Sequence, residues 1–271
     1  MSIEQRLNSD QEPDINIHDL TIETPEKKSE APFDVDRDIT PEDWIEIDTL
    51  IKEYKDLGVG ARTEDLFRLY TDIKILSPDR KLDVTPEELE WLRNQIDKEM
   101  ERGSWHRFIE DMFEIIILGN RPKSLKLEDY QEMFSAMLGK RTLFDIARLR
   151  VVYPELFDLP GDLLNHLKRD ITNFREGKKW DIFITHAAYV RMLDPTIDLD
   201  IKGSEWEEIK KYTHLQLGVG RGTIFLNCAR NLAILAAKEV IVDKNGITLI
   251  KSNSDSSFNK QSVPLLEVKK F

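Results

Sequence analysis

The chain has 271 residues, of which 40% are apolar and 33% charged, enough to bury a substantial core and typical of a helix-rich globular protein. Its formal charge is −12, and residues 1–38 alone hold eleven acids against four bases, which argues against nonspecific nucleic-acid binding. A single cysteine, Cys228, rules out an internal disulfide and a four-cysteine zinc site, and no apolar run approaches the roughly twenty residues a membrane span needs.

Residues 1–38 read as an acidic, disordered arm. Within it Ile15, Ile17, Leu20 and Ile22 partly alternate with polar residues, so this short segment is a candidate for strand addition or groove docking on a partner. The first residues contain no apolar secretory core, and a cytoplasmic protein is expected.

A folded body is expected over residues 39–250, built from a weak repeat of roughly forty residues. Each unit reads as a helix, a glycine, a second helix and a short apolar-x-apolar step. The approximate units are 39–84, 85–127, 128–159, 160–201 and 202–250. The glycines are Gly58, Gly103, Gly139, Gly177 and Gly218, each placed as a left-handed cap after the first helix.

First helices open with recurrent capping grammar: Thr40-Pro41-Glu42-Asp43, Thr85-Pro86-Glu87-Glu88 and Ser204-Glu205-Trp206-Glu207. Their apolar residues recur at helical spacing, as in Trp44, Ile47, Leu50, Ile51 and Tyr54, or Leu89, Leu92, Ile96 and Met100. Second helices follow at 66–76, 105–118, 143–152, 180–193 and 223–237, with Ser104 and Thr223 as candidate N-caps. Leu57-Gly58-Val59-Gly60 and Leu217-Gly218-Val219-Gly220 are sister turns.

The last step continues through Asp243-Lys244-Asn245-Gly246 into Ile247-Thr248-Leu249-Ile250, a β-hairpin signal that could close the stack. Residues 251–271 read as a flexible tail. Its end carries Leu265, Leu266 and Phe271, a second candidate contact for the body or a partner. The expected fold is therefore mainly α: stacked helix-turn-helix repeats, solenoid-like or a compact helical array, with a small C-terminal hairpin.

Three constellations bear on chemistry. Gly218-Val219-Gly220-Arg221-Gly222-Thr223 precedes a helix, where backbone N–H groups and the helix dipole can hold a phosphorylated ligand. It follows a helix instead of a strand, so the expected role is that of an interhelical turn.

The second is Asp194, Thr196, Asp198, Asp200 and Glu205, oxygen-bearing residues at the first, third, fifth, seventh and twelfth places of a loop. This spacing resembles the calcium loop of the EF-hand family, with Leu199 where that family has glycine. The resemblance implies helix–loop–helix geometry, with calcium as an alternative use of the site.

The third comprises two basic clusters, Lys140, Arg141, Arg148 and Arg150 opposed by Asp145, and Lys168, Arg169, Arg175, Lys178 and Lys179; both read as solvated faces. The five histidines, His18, His106, His166, His186 and His214, show no metal spacing, although His166 and Asp170 stand one turn apart.

No catalytic residue, metal or cofactor is assigned, and the function expected is a non-catalytic protein-interaction module or scaffold. A degenerate EF-hand-like calcium responder is the first alternative, and an enzyme holding a phosphorylated ligand at the 218–223 turn the second.

Overall fold

A computed structural model describes residues 32–251 except 61, 121–123, 141–142, 158–160 and 244, with the side chains of 139, 140 and 162 left undescribed. The docking segments around Ile15, Ile17, Leu20 and Ile22, and around Leu265, Leu266 and Phe271, lie outside the described residues.

The structure is mainly helical with a small C-terminal hairpin, as the sequence predicts. A short helix α1 (Val35–Asp38) is followed by five pairs: α2 (Pro41–Asp56) with α3 (Thr63–Leu76), α4 (Pro86–Glu101) with α5 (Trp105–Ile117), and α6 (Leu127–Lys140) with α7 (Leu143–Val152). Then come α8 (Gly161–Glu176) with α9 (Trp180–Leu193) and α10 (Gly203–Gly218) with α11 (Gly222–Ala236). Strands β1 (Glu239–Asp243) and β2 (Gly246–Ile250) pair antiparallel, with Asp243 opposite Gly246.

Local rules set the ends of these helices. Thr40 and Thr85 each form a reciprocal capping box, with Asp43 and Glu88 respectively, and proline fills the first turn of both helices. Gly58 and Gly103 take the left-handed conformation expected of them, with φ of 82° and 66°.

The other expected glycine caps are corrected. Gly139 lies inside α6. After α8 the left-handed residue is Lys178, and after α10 it is Gly220, so the turn falls one and two residues beyond the expected glycines. Two N-caps are also displaced. Lys202 stands in that position ahead of Ser204, and Arg221 ahead of Thr223. The described residues ahead of Thr40 also pack on the body: Phe33, Val35 and Ile39 are buried, and α1 contributes Val35 to the core.

The pairs do more than stack in a row. The second helices α3, α5, α7, α9 and α11 pack each on the next, and α11 returns to pack on α3, so the inner helices form a closed ring. The first helices α2, α4, α8 and α10 lie outside, each packed on its own partner, while α6 rests more lightly between α5 and α7. This arrangement gives the apolar stripe of every pair two neighbours and leaves no exposed end repeat.

The inner helices run parallel. Their N-terminal ends meet through the Arg107–Glu64 ion pair at 2.7 Å and the His106–Asp145 contact at 2.7 Å. At the C-terminal end Arg150 donates to the Met192 and Leu193 carbonyls, and Arg191 to those of Leu235 and Ala237. The hairpin packs at this second end, against α3, α5, α7 and α9, with Gly246 directly over Ile116 and Ile117. It therefore plugs the ring rather than ending a stack. The core is one connected apolar cluster that spans all five pairs and takes in Val240 and Ile247 of the hairpin.

Candidate functional site

The axis of the ring is apolar toward the hairpin and polar toward the helix N-termini. The polar half is built from residues one turn apart on the inner helices, since side chains at i and i+4 share a helical face. Arg68 and Asp72 come from α3, Glu110 and Glu114 from α5, Thr185 and Tyr189 from α9, and Asn227 and Asn231 from α11. The shorter α7 supplies Asp145 and Arg148, and Arg230 comes from α11.

Ion pairs link neighbouring helices around this axis. Glu110 accepts from Arg68 at 3.2 Å and from Arg148 at 2.9 Å. Asp145, 1% exposed, faces His106 Nδ1 at 2.7 Å and Arg148 Nη1 at 3.8 Å. Asp72 and Arg230 pair at 2.6 Å and are both buried, which ties the first helical pair to the last across 158 residues. Arg230 also donates to Asn231 Oδ1 at 2.8 Å and reaches Tyr189 Oη at 3.5 Å. Asn231 in turn donates to Asn227 Oδ1 at 3.1 Å.

Charge states follow from this wiring. Burial alone would raise the Glu110 carboxyl, but the Arg148 and Arg68 charges outweigh it and hold it below the usual range. Burial would lower the Arg230 guanidinium, and Asp72 with Tyr189 keeps it charged. Glu114 behaves oppositely. It is 4% exposed and, among the described residues, has no hydrogen-bond or ion-pair partner. Burial, and then the Asp111 and Glu110 charges, push its carboxyl well above the ordinary range. Asp111, also buried and on the same helix, is pushed up to about 7 by burial and by Glu110, Glu64 and Glu99.

Exposure falls from the rim inward. Side chains at the mouth are well exposed, with Arg68 at 43% and His106 at 58%; Arg148 falls to 14% and Glu110 to 9%. The two concavities that stand out lie elsewhere. One, of about 380 Å³, runs along α2 and the α3–α4 connection past Lys55, Arg80 and Asp83; the other, of about 230 Å³, lies by Tyr54, Val59 and Glu88.

The sequence-predicted positions fare differently. Among Asp194, Thr196, Asp198, Asp200 and Glu205, the carboxylates are engaged separately and do not converge. Asp194 accepts from Thr196 Oγ1 at 2.6 Å and pairs with Lys168 at 3.3 Å. Asp198 accepts from the Asp200 amide at 2.9 Å. Glu205 caps the Lys202 amide and takes a two-pronged contact from Arg175 at 2.5 and 2.8 Å. Thr196 and then Lys168 hold Asp194 below its usual range, and Arg175 does the same for Glu205. Among the described residues no group of three or more His, Cys, Asp or Glu is placed to hold a metal ion.

The 218–223 turn joins two helices, with Gly220 at φ 74° and Gly222 packed toward Leu50. The basic clusters are not wholly solvated faces. Arg148 and Arg150 point inward, to the axis and to the α9 carbonyls, and Arg175 is spent on Glu205. His166 and Asp170 form an exposed pair at 3.6 Å. Cys228 is buried and its thiol is pushed up to about 12 by burial, so it is inert at neutral pH.

Asp72, Glu110, Glu114 and Arg230 escaped the sequence reading, and Asp145 and Arg148 were read only as part of a basic surface cluster, because a charge within a helix does not by itself say which way it faces. Glu110 and Glu114 inside the 108–118 run, and Arg230-Asn231 inside the apolar α11, were the available signal. Comparison of this chain with protein-family models, with curated proteins and with solved structures finds no match.

Proposed function

We propose that the chain is a non-catalytic module or scaffold that binds a protein partner at the open end of the ring, and that it works in the cytoplasm without a cofactor. One observation carries this reading: the mouth joins exposed apolar side chains to exposed charges. Leu57 and Val59 on one sister turn, and Val219 and Ile224 at the other, are 52%, 53%, 41% and 41% exposed. Both turns lie where α2 and α3 meet α11, on the same end as Glu64, His106 and Arg107. Apolar anchors rimmed by charge are the composition of a binding surface. The opposite end is occupied by the hairpin, and no described helix is long and apolar enough to cross a membrane.

A random-peptide display selection against the immobilised full chain tests the proposal. Enriched peptides whose binding is lost in Leu57→Asp/Val219→Asp, with the helical signal unchanged, support it. Failure of any peptide to enrich, or enrichment indifferent to that double change, overturns it.

A further inference from the structure

The larger of the two concavities, about 380 Å³, lies apart from the ring axis, between α2 and the 77–85 connection. Its floor is apolar: Ile51 and Leu82 are half-buried against the core and Tyr70 is buried. Its walls are charged. Arg80 pairs with Asp48 at 2.7 Å and Lys55 with Asp83 at 2.7 Å. Lys52 and Lys81 are exposed and, among the described residues, have no ion-pair or hydrogen-bond partner. Asp56 is the one further carboxylate among the lining residues, so the groove keeps an excess of positive charge.

A groove with an apolar floor and cationic walls suits a segment that mixes aliphatic side chains with carboxylates. Residues 12–23 of this chain are such a segment. They hold Glu12, Asp14, Asp19 and Glu23, no lysine or arginine, and the apolar Ile15, Ile17, Leu20 and Ile22. The apolar residues 263–271 carry Lys269 and Lys270 against Glu267, the wrong sign for this groove.

The chain is also long enough. Arg37 donates to the Pro32 carbonyl at 2.6 Å, which holds the start of the described chain against α1, and only Ile39 and Thr40 separate α1 from α2. Lys52 lies about 17 Å along α2 from Pro41, at 1.5 Å per residue. The residues between Glu23 and Pro32 span up to about 28 Å when extended.

We propose that residues 12–23 dock in this groove as an intramolecular clasp, with aliphatic side chains over Ile51, Leu82 and Tyr70 and carboxylates facing Lys52 and Lys81. Individual exposed ion pairs are weak, but a short tether supplies an effective concentration of order millimolar, so weak contacts suffice. The inference does not rest on the binding-module reading, which concerns the turns at Leu57 and Val219 and responds to different substitutions.

The test is paramagnetic NMR on the full chain carrying a nitroxide at His18→Cys; Cys228 is buried, so the label goes to position 18. Docking predicts strong broadening of the Ile51 and Leu82 methyl signals, none at Leu164 across the ring on α8, and the same pattern at every protein concentration. Lys52→Glu/Lys81→Glu should weaken docking about fivefold, and adding Asp14→Lys/Asp19→Lys to that chain should restore it. Absence of broadening at Ile51, equal broadening at Leu164, or broadening indifferent to the lysine reversal would overturn the proposal. Broadening passed from labelled to unlabelled chains in a mixture would also overturn it, by assigning the groove to a second copy. So would a free peptide of residues 12–23 that saturates the groove at micromolar concentration, since that leaves the groove open to a separate partner.

Discussion

Replacing Asp111 by Asn should stabilise the protein, and by an amount that grows with pH. In the folded chain the Asp111 carboxyl is pushed from an ordinary 3.8 up to about 7, first by burial and then by the neighbouring Glu110, Glu64 and Glu99 charges. In the unfolded chain it titrates near its ordinary value. Between those two pH values the folded state holds a proton that the unfolded state has released. Stability therefore falls as pH rises through the window, and is flat below about 4 and above about 7. Each unit corresponds to about 1.4 kcal/mol, so from pH 5 to pH 8 this one group removes about 2.7 kcal/mol, most of it by pH 7. Asn, similar in shape and uncharged, has no such slope. Urea unfolding of both proteins at pH 5, 6, 7 and 8 should show the variant's advantage widening by about 2.7 kcal/mol and levelling off above pH 7. A difference that is constant with pH, or that narrows, would refute the placement of Asp111 among buried like charges.

Other changes probe separate features. Thr85→Ala removes the side chain that caps the Glu88 amide at 3.2 Å and should cost about 1 kcal/mol in chemical unfolding, with an unchanged denaturant slope. Gly246→Ala combines φ of 109° with an added carbon 3.1 Å from Ile117 Cδ1, so it should lower the melting temperature by several degrees, about 1–3 kcal/mol, while Gly58→Ala, with open space around it, pays only the backbone cost. Cys228 should react with a thiol reagent only after unfolding, as a time course in native and denaturing buffer would show. Arg175→Ala should loosen the 194–205 loop by releasing Glu205 and the Leu199 carbonyl, seen as faster amide exchange there and not along the ring axis.

Much of the fold is written locally. The threonine–proline–acid starts at Thr40 and Thr85 satisfy the first amides of their helices, and the left-handed Gly58 and Gly103 end two of them; both are nearest-neighbour effects. The displaced caps at Lys178 and Gly220 show where locality stops. There the helices end at Glu176 and Gly218, yet the left-handed turn residue falls beyond the first glycine, which in one case places a lysine at φ 51°. Closure of the ring is not local at all. It depends on a small rotation between successive pairs, summed over five of them, and is sealed by partners as distant as Asp72 and Arg230. The axial site was hidden for the same reason. Arg148 beside Lys140, Arg141 and Arg150 looks like one basic patch, yet helical geometry turns Arg148 toward Glu110 and Arg150 toward the end of α9.

The central claim is that the first and last helical pairs meet and shut the ring around a polar axis. The most direct measurement is a double-mutant cycle at Asp72 and Arg230, using Asp72→Ala, Arg230→Ala and the double variant in chemical unfolding. A closed ring predicts that each single change costs about 3–5 kcal/mol, by stranding a buried charge, and that the double costs less than their sum by about 2 kcal/mol or more. Strict additivity, with each single change costing no more than a surface substitution, would mean that these residues do not touch and that the pairs form an open stack.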